Sequence, residues 1–269
     1  MRCGKTLLMG CAVALLLSLP QCPQAAIPVT DANLRAMLEK VLRENPDLVL
    51  DVLRQNSETV LDIAQQGSNL RRKHALQQQW QKDMTVPKSV RCEDRPLLGR
   101  ADAPVRIVAF SDFTCHFCQK ASETLSRLMA QYGDKVCLIF KSLPQDKDGP
   151  SATAASYFVA LAQQDQAKAW KFYGILFANR DKVITEGNDF IRSAARSVEA
   201  DMRRLDRDRN SRKVRDIIRE DLEDAEKLGV DGTPHFLVND LVVRGALPDD
   251  LFRAAIDTAL KPQAAPSSR

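Results

Sequence analysis

The feature that most constrains the fold of this chain is a pair of cysteines, Cys115 and Cys118, placed where a strand pattern gives way to a helix pattern. Residues 105 to 113 form an apolar, β-branched run of strand length, and Leu125 and Leu128 follow at helical spacing. One turn of helix places both sulfur atoms on the same side. The first sulfur lies at the positive end of the helix dipole, which favours its thiolate form. The pattern predicts a redox-active dithiol in which Cys115 is the better nucleophile.

Zinc sites use the same cysteine spacing, so a metal site is the alternative interpretation. A zinc knuckle usually has a second cysteine pair or a cysteine–histidine pair, and the sequence contains neither. His74 and His235 have no metal-ligand spacing to the cysteines. The sequence therefore favours the redox dithiol and predicts no metal.

The first 26 residues have the three-part layout of a secretory signal peptide. Basic residues precede the apolar run 7 to 19, which is too short to span a membrane comfortably, and a stretch of small residues ends at Ala26. A lipoprotein fits less well, because Cys11 lies inside the apolar run and Cys22 has a poor approach sequence. We expect cleavage after residue 25 or 26 and a periplasmic or otherwise exported protein that is soluble once cleaved.

Cleavage would remove three of the seven cysteines and leave an even number, as expected for paired thiols in an exported protein. The remaining cysteines are Cys92, Cys115, Cys118 and Cys137. Cleavage would also lower the formal net charge from +4 to +2, because two basic residues and no acidic residue are lost. A nearly neutral chain gives no argument for a nucleic-acid partner, and none is predicted.

Residues 27 to 84 are predicted to form a helical N-terminal region. Thr30 or Asp31 can cap a first helix, Asn45-Pro46 separates it from a second, and Ser57 can cap a third. The apolar residues at helical spacing are Leu34, Met37, Leu38, Val41, Leu42, Leu48, Val52, Leu53, Val60 and Ile63. Such helices can hardly build a core alone, so they must pack on another copy of the chain or on its own main domain. We favour the first arrangement, a homodimer or homotrimer.

Residues 85 to 262 are predicted to form an α/β domain. A linker enters it through an extended segment around residues 90 to 98, and a buried strand at 135 to 141 completes a βαβ unit with the dithiol strand and helix. A helical insertion spans about residues 150 to 229. A hairpin turn by composition at Asn239-Asp240 and a last helix follow.

A charged run lies within this domain, and a short tail follows it. The charged run at residues 203 to 215 is basic at first sight, but its interleaved aspartates and the acidic stretch that follows predict a solvated, ion-paired helix face. Residues 263 to 269 are predicted to form a disordered tail.

Together these features resemble a thioredoxin-fold thiol-disulfide oxidoreductase of the DsbA-like family. The resemblance covers residues 95 to 261 in order. Its elements are the strand entering Cys115-His116-Phe117-Cys118, the helical insertion, and Gly232-Thr233-Pro234 ahead of the hairpin. It implies an α/β thioredoxin fold with a helical insertion, preceded by a small all-α N-terminal region.

The resemblance also assigns roles to four residues. Cys115 would be the exposed attacking thiol and Cys118 the buried resolving thiol. Pro234 would be a cis-proline lying against the dithiol, and Thr233 would offer its backbone to an extended substrate segment. From the sequence alone, a trans proline at the start of a strand stays an alternative for Pro234.

The chain departs from the family pattern at two places. Many relatives carry a glutamate six residues before the first cysteine, where its carboxylate helps to move the proton of the resolving thiol. This chain has Ala109 there, and Asp112 is the nearest acid. The dipeptide His116-Phe117 places histidine first, whereas strongly oxidising relatives place it second. His116 is therefore either a group that stabilises the Cys115 thiolate or a solvent-exposed side chain.

The resemblance implies an enzyme that forms, reduces or isomerises disulfides in unfolded or wrongly bonded exported proteins. It would act through a mixed disulfide at Cys115, without a cofactor, and a membrane-bound or soluble redox partner would reset the dithiol. Related proteins with helical N-terminal extensions are dimers or trimers that hold their dithiols around a shared cleft. Thr233 before the cis-proline resembles the isomerase and reductase branches, so we favour isomerisation, with plain oxidation as the alternative.

Two other classes of function stay open from the sequence. The dithiol could hold a soft ion such as copper(I), which thiol titration with and without copper would test. The fold could also be kept for partner binding without catalysis. The intact dithiol and its proline counterpart favour the enzyme.

Cys92 and Cys137 fall on two segments that lie side by side in a thioredoxin-like sheet, namely the entering strand and the strand after the dithiol helix. We therefore predict a structural disulfide between them. Two buried free thiols are the alternative. Closing a loop of this length would stabilise the fold by roughly 4 kcal/mol in the chain-entropy model.

Overall fold

The computed structural model describes residues 30 to 261 of the chain. The predicted signal peptide (1 to 26) and disordered tail (263 to 269) lie outside the described residues. The chain divides into two compact units, one that ends at Gly67 and one that begins at Ser68.

Three helices occupy the N-terminal region, as predicted: α1 (Asp31–Glu44), α2 (Pro46–Gln55) and α3 (Ser57–Asp83). The Thr30 hydroxyl caps α1 by accepting a hydrogen bond from the Asn33 backbone N–H at 3.4 Å. The apolar side chains of this region up to Gly67 include twelve that are 39 to 65 % exposed. They are Leu34, Met37, Leu38, Val41, Leu42, Leu48, Val49, Leu50, Val52, Leu53, Leu61 and Ile63.

A five-stranded sheet with the order β1-β3-β2-β4-β5 forms the centre of the second unit. The strands are β1 (Leu97–Leu98), β2 (Val105–Ser111), β3 (Val136–Ser142), β4 (His235–Val238) and β5 (Leu241–Arg244). Only β2 and β3 are parallel, and the other neighbouring pairs are antiparallel. This arrangement confirms the predicted thioredoxin fold, with the βαβ unit at its centre and the hairpin at one edge.

Eight helices in the second unit follow the dithiol strand. They are α4 (His116–Tyr132), α5 (Pro150–Ala162), α6 (Gln166–Ala178), α7 (Arg180–Thr185), α8 (Asn188–Ser197), α9 (Met202–Asp208), α10 (Arg212–Lys227) and α11 (Asp249–Leu260). Helix α4 joins β2 to β3, and α5 to α10 form the predicted insertion between β3 and β4. None of the helices between residues 30 and 261 is both long and apolar enough to cross a bilayer.

The end of α3 packs into the core of the second unit. Trp80 is 1 % exposed, and its indole N–H donates a hydrogen bond to the Val242 carbonyl at 2.9 Å. Asp83 accepts a hydrogen bond from the Val242 N–H at 3.0 Å. Both backbone groups of Val242 on the edge strand β5 are therefore satisfied by α3. The compact unit accordingly includes this end of α3 and begins at Ser68, whereas the sequence predicts that the main domain begins at residue 85.

A buried ion-pair cluster ties the insertion to the sheet. Lys141 on β3 is fully buried, and its ammonium contacts Asp221 at 2.7 Å and Asp224 at 2.8 Å. Arg95 is also buried and binds Asp221 at 3.0 Å. The charged run at residues 203 to 215 forms ion pairs as predicted, for example Arg204 with Asp208 and Arg212 with Asp216. Asp221 and Asp224 on the inner face of α10 were not expected to be buried. When opposite charges are buried in contact, each one compensates the other, whereas a single buried charge would be left uncompensated.

His235 begins β4 and is 2 % exposed. Burial lowers the pKa of its ring from 6.5 to about 4, with a smaller contribution from Arg244, whereas Asp231 and Asp83 oppose this shift. The unfolded chain therefore takes up a proton near pH 6.5 and the folded chain only near pH 4. The stability present above pH 6.5 is lost as the pH falls through this window.

We expect the free energy of unfolding to fall by about 3 kcal/mol between pH 6.5 and pH 4 on account of His235. Urea unfolding at several pH values measures this decline. His235→Phe should flatten it, and His74→Gln, at an exposed site, should not. An unchanged decline in His235→Phe would assign the acid sensitivity to other groups.

Candidate active site

The dithiol lies where the sequence predicts it, between the end of β2 and the start of α4. Cys115 is the N-cap residue of α4, and its sulfur accepts a hydrogen bond from the Cys118 backbone N–H at 3.4 Å. Cys115 is partly exposed and Cys118 is buried. Both are free thiols, so the structure represents the reduced form of the pair.

The two thiols differ in acidity because their surroundings differ. The pKa of Cys115 is lowered from 9.0 to about 5, chiefly by a hydrogen bond from the Cys118 side chain. The Thr233 hydroxyl and the backbone N–H groups of Cys118 and Phe117 act in the same direction and outweigh the opposing effect of burial. Burial, together with the hydrogen bond to Cys115, raises the pKa of Cys118. At neutral pH this arrangement gives a Cys115 thiolate beside a protonated Cys118.

The loop before β4 lies against the dithiol. The peptide bond between Thr233 and Pro234 is cis, which excludes the trans alternative. The Cys115 sulfur lies 3.5 Å from the Thr233 carbonyl oxygen, to which the thiol donates a hydrogen bond in its protonated form. The structure therefore brings Thr233 to the Cys115 sulfur.

Asp112 is buried, and its carboxylate is fully engaged by the surrounding loops. One oxygen accepts hydrogen bonds from the Thr114 N–H at 2.6 Å and the Thr114 hydroxyl at 2.8 Å. The other accepts from the Gln145 N–H at 2.9 Å and from the Ser151 hydroxyl. The carboxylate thus holds the active-site loop in place. Besides Cys115, the Ser111 side chain forms a hydrogen bond with the buried Cys118 thiol and opposes the rise in its pKa. The sequence did not indicate Ser111 as a site residue.

His116 and Phe117, the two residues between the cysteines, are both exposed. Their rings meet edge to face with centroids 5.6 Å apart, and Phe117 is 58 % exposed. The geometry agrees with the solvent-exposed alternative for His116. Phe117 presents an apolar surface beside the attacking sulfur.

The helical insertion also contacts the active-site loop. Arg180 donates a hydrogen bond from Nε to the Thr114 carbonyl at 2.6 Å. Gln119 on α4 donates one to the Phe177 carbonyl at 2.7 Å. The Phe113 ring stacks on Phe140 and meets Phe177 at a tilt, within an aromatic cluster that joins the sheet to the insertion. No local sequence signal marks these contacts, because the partners are far apart in the chain.

Cys92 and Cys137 line a common cavity of about 510 Å³, together with Arg106. The structure does not contain the predicted disulfide, since both residues are free thiols. Cys92 lies in the loop before β1 and Cys137 on β3, and β1 and β3 are paired as expected. Because the dithiol is also in its reduced form, the disulfide stays a prediction.

Peptide mapping of the air-oxidised protein under denaturing, alkylating conditions tests this disulfide. We expect a cross-linked peptide pair containing Cys92 and Cys137, and its reduction should lower the stability by roughly 4 kcal/mol. Cys92→Ser with Cys137→Ser should reproduce that loss. Recovery of two alkylated cysteines at these positions would contradict the prediction.

The fold and the site together define a thiol-disulfide oxidoreductase of the DsbA type. The family model described as Thioredoxin matches residues 92–258, which is more than half of the chain. The chain therefore belongs to the thioredoxin family.

Three relatives illustrate this placement. The chain is 34% identical over 173 residues to the probable disulfide bond formation protein D of Bacillus cereus, covering 61% of this chain and 78% of that protein. A thioredoxin-like oxidoreductase from Silicibacter pomeroyi DSS-3 is 29% identical, with a TM-score of 0.56 over 62% of this chain and 92% of that structure. Proteus mirabilis ScsC in a transitional conformation shares the fold at 20% identity, with a TM-score of 0.57 over 86% of this chain and 96% of that one.

A different kind of protein also contains a matching segment. The chain is 32% identical over 152 residues to the Na(+)/H(+) antiporter NhaA 1 of Mycolicibacterium vanbaalenii. The match covers 55% of this chain but only 24% of the antiporter. The chain thus spans about a quarter of the length of that relative.

Proposed function

We propose that this protein is an exported disulfide isomerase that rearranges wrong disulfides in other exported proteins. The observation that supports the proposal is the Cys115–Cys118 dithiol at the start of α4 beside Thr233, in a chain whose N-terminal helices expose twelve large apolar side chains. Isomerisation needs only these two thiols. Net reduction or oxidation of a substrate also needs a partner that supplies or accepts electrons and so resets the dithiol.

The Cys115 thiolate would attack one sulfur of a substrate disulfide. A mixed disulfide forms, and the other substrate sulfur leaves as a thiolate that takes up a proton. In isomerisation, a different substrate thiolate then attacks the mixed disulfide and releases Cys115 without net oxidation. In reduction, Cys118 attacks instead, and the Cys115–Cys118 disulfide must be reset by a membrane-bound or soluble redox partner.

Two apolar surfaces beside the dithiol suit unfolded substrates. Phe117 is exposed next to the attacking sulfur. A cavity of about 960 Å³ between α4 and α6 includes Gln119, one helical turn after Cys115, and apolar side chains such as Met129 and Trp170. Exposed apolar segments distinguish unfolded proteins from folded ones, so these surfaces favour misfolded proteins as the substrate class.

The helices before Gly67 supply the second part of the proposal. Twelve large apolar side chains of this region are exposed, which is more than a solvated segment normally carries. We propose that they pack against the same region of one or two other copies, giving a homodimer or homotrimer. Several dithiols in one assembly can bind the same misfolded protein at once. Binding of the first dithiol raises the effective concentration of the others at that protein.

Light scattering and an isomerase assay test the assembly. The mature protein should have the mass of two or three chains, and residues 68 to 269 alone should be monomeric. The shortened protein should still reduce small disulfides but lose about tenfold of its activity on a scrambled disulfide protein. In the full chain, Val41→Asp should break the assembly and Lys40→Gln, next to it, should not. A monomeric mature protein would contradict the isomerase proposal.

Plain oxidation is the second candidate, and the low pKa of Cys115 favours it. A stabilised thiolate stabilises the reduced form, which makes the disulfide form a stronger oxidant. The equilibrium of the dithiol with glutathione measures this property. A strongly oxidising equilibrium in a monomeric protein would support the oxidase.

A further inference from the structure

Gln145 lies in the loop after β3, where hydrogen bonds from its N–H group fix its backbone. Its N–H donates to Asp112 Oδ2 at 2.9 Å and to the Ser151 hydroxyl at 3.0 Å. The other oxygen of the same buried carboxylate holds Thr114, the residue before Cys115. Asp112 therefore fixes the Gln145 backbone and the dithiol loop relative to each other.

From this fixed backbone, the Gln145 side chain reaches the residue beside the attacking sulfur. Its amide Nε2 donates a hydrogen bond to Thr233 Oγ1 at 3.1 Å. A hydroxyl oxygen that accepts from an amide keeps its own hydrogen free to donate elsewhere. The Cys115 sulfur lies 3.5 Å from the Thr233 carbonyl oxygen, and a hydrogen bond from the Thr233 side chain lowers the pKa of that thiol. The amide thus sets the direction in which the Thr233 hydroxyl points.

We propose that Gln145 is a positioning residue for the dithiol, which turns the Thr233 hydroxyl toward the Cys115 thiolate. Gln145 touches neither the sulfur nor any reacting atom, and it acts through Thr233 alone. The chain of contacts runs from Asp112 through the Gln145 backbone and side chain to Thr233 and then to Cys115. This inference deepens the proposed dithiol chemistry and rests on it.

Other groups near the sulfur must stay unchanged for the test to be clean. On α4 these are Cys118, which donates to Cys115, and the exposed His116. From the loop before α4 it is Asp112, whose carboxylate is engaged by Thr114, Gln145 and Ser151. None of them is altered by a substitution that removes only the Gln145 amide.

The test is the pKa of Cys115, followed by the ultraviolet absorbance of its thiolate in the full mature protein. Gln145→Met keeps the side-chain length but cannot donate, and we expect it to raise this pKa from about 5 to about 6. Thr233→Val removes the hydroxyl and should raise the pKa at least as much. The double variant should match Thr233→Val alone, because Gln145 acts only through Thr233.

Two further variants make the result decisive. Gln145→Glu would accept the Thr233 hydrogen instead of donating to its oxygen, and it should raise the pKa more than Gln145→Met. Gln164→Met removes a comparable amide hydrogen bond, to the Asp201 carbonyl at 3.3 Å, and should leave the pKa unchanged.

Three results would overturn the proposal. They are an unchanged pKa in Gln145→Met, additive shifts in the double variant, and an equal shift in Gln164→Met. The absorbance titration needs no substrate, so it is independent of whether the protein is an isomerase, an oxidase or neither. Failure of the proposed function would appear in the turnover assays, and failure of this inference would appear only in the titration.

Discussion

Cys115→Ser should reduce thiol-disulfide exchange to the uncatalysed level, because only the sulfur at the start of α4 is stabilised as a thiolate. A serine hydroxyl in this position is not ionised at neutral pH and cannot form a mixed disulfide. Insulin reduction and the refolding of a scrambled disulfide protein both measure the loss. Wild-type activity in Cys115→Ser would show that the attacking thiol had been misassigned.

Cys118→Ser should trap mixed disulfides, whereas Cys115→Ser should form none, since Cys118→Ser removes the resolving thiol but keeps the attacking one. Mixed disulfides with substrate proteins should then accumulate and survive non-reducing electrophoresis. The double variant Cys92→Ser with Cys137→Ser is the control, because it removes thiols outside the dithiol and leaves no unpaired partner at either position.

The pH profile of Cys115 alkylation gives an independent check. Only the thiolate reacts, so the rate should rise about tenfold for each pH unit below pH 5 and level off above it. A midpoint near the ordinary thiol value of 9.0 would contradict the hydrogen-bond arrangement described for this site.

Removing residues 27 to 84 should unfold or severely destabilise the thioredoxin domain, whereas removing residues 27 to 67 should not. The longer deletion takes away Trp80, which fills the core, and Asp83, which holds the edge strand β5. The sequence analysis assigned both residues to the N-terminal region.

The substitution Trp80→Ala isolates the main contribution. We expect a loss of about 3 to 5 kcal/mol in the free energy of unfolding, from the cavity and from the unsatisfied Val242 carbonyl. Urea unfolding of the mature protein measures it. Leu61→Ala, at a side chain that is 65 % exposed, is the control and should change the stability little. Equal stabilities of the two variants would mean that α3 is dispensable to the domain.

Much of this fold and the centre of its site could be predicted from the sequence because the signals are local. A strand pattern, two cysteines and a helix pattern lie within about 30 consecutive residues, and Pro234 marks the start of a hairpin strand. The contacts that the sequence did not reveal join distant segments. Gln145 meets Thr233 across 88 positions, and Trp80 meets Val242 across 162. No periodic pattern in the sequence indicates that Gln145 or Trp80 has a partner so far along the chain.

Burial of charge was the other feature that the sequence concealed. Asp221 and Asp224 stand among many charged neighbours on α10, and composition gives no means of telling an inward carboxylate from an outward one. Only the position of Lys141 on a buried strand hints that a carboxylate must lie opposite it. The general rule that buried charges are paired becomes useful once one partner is known to be buried.

The Lys141 cluster also limits how this sequence can drift over evolutionary time. Loss of the lysine alone would leave two aspartates without their shared cation, at a cost of about 3 to 5 kcal/mol, a large part of the stability of an ordinary domain. Replacement of the whole set, with Arg95 included, by apolar residues of similar volume would cost less than loss of the lysine alone, because no buried charge would then lose its partner. Sequences that have lost only part of the charged set would therefore be the least stable. We expect homologous chains to carry either the whole charged set at these positions or none of it.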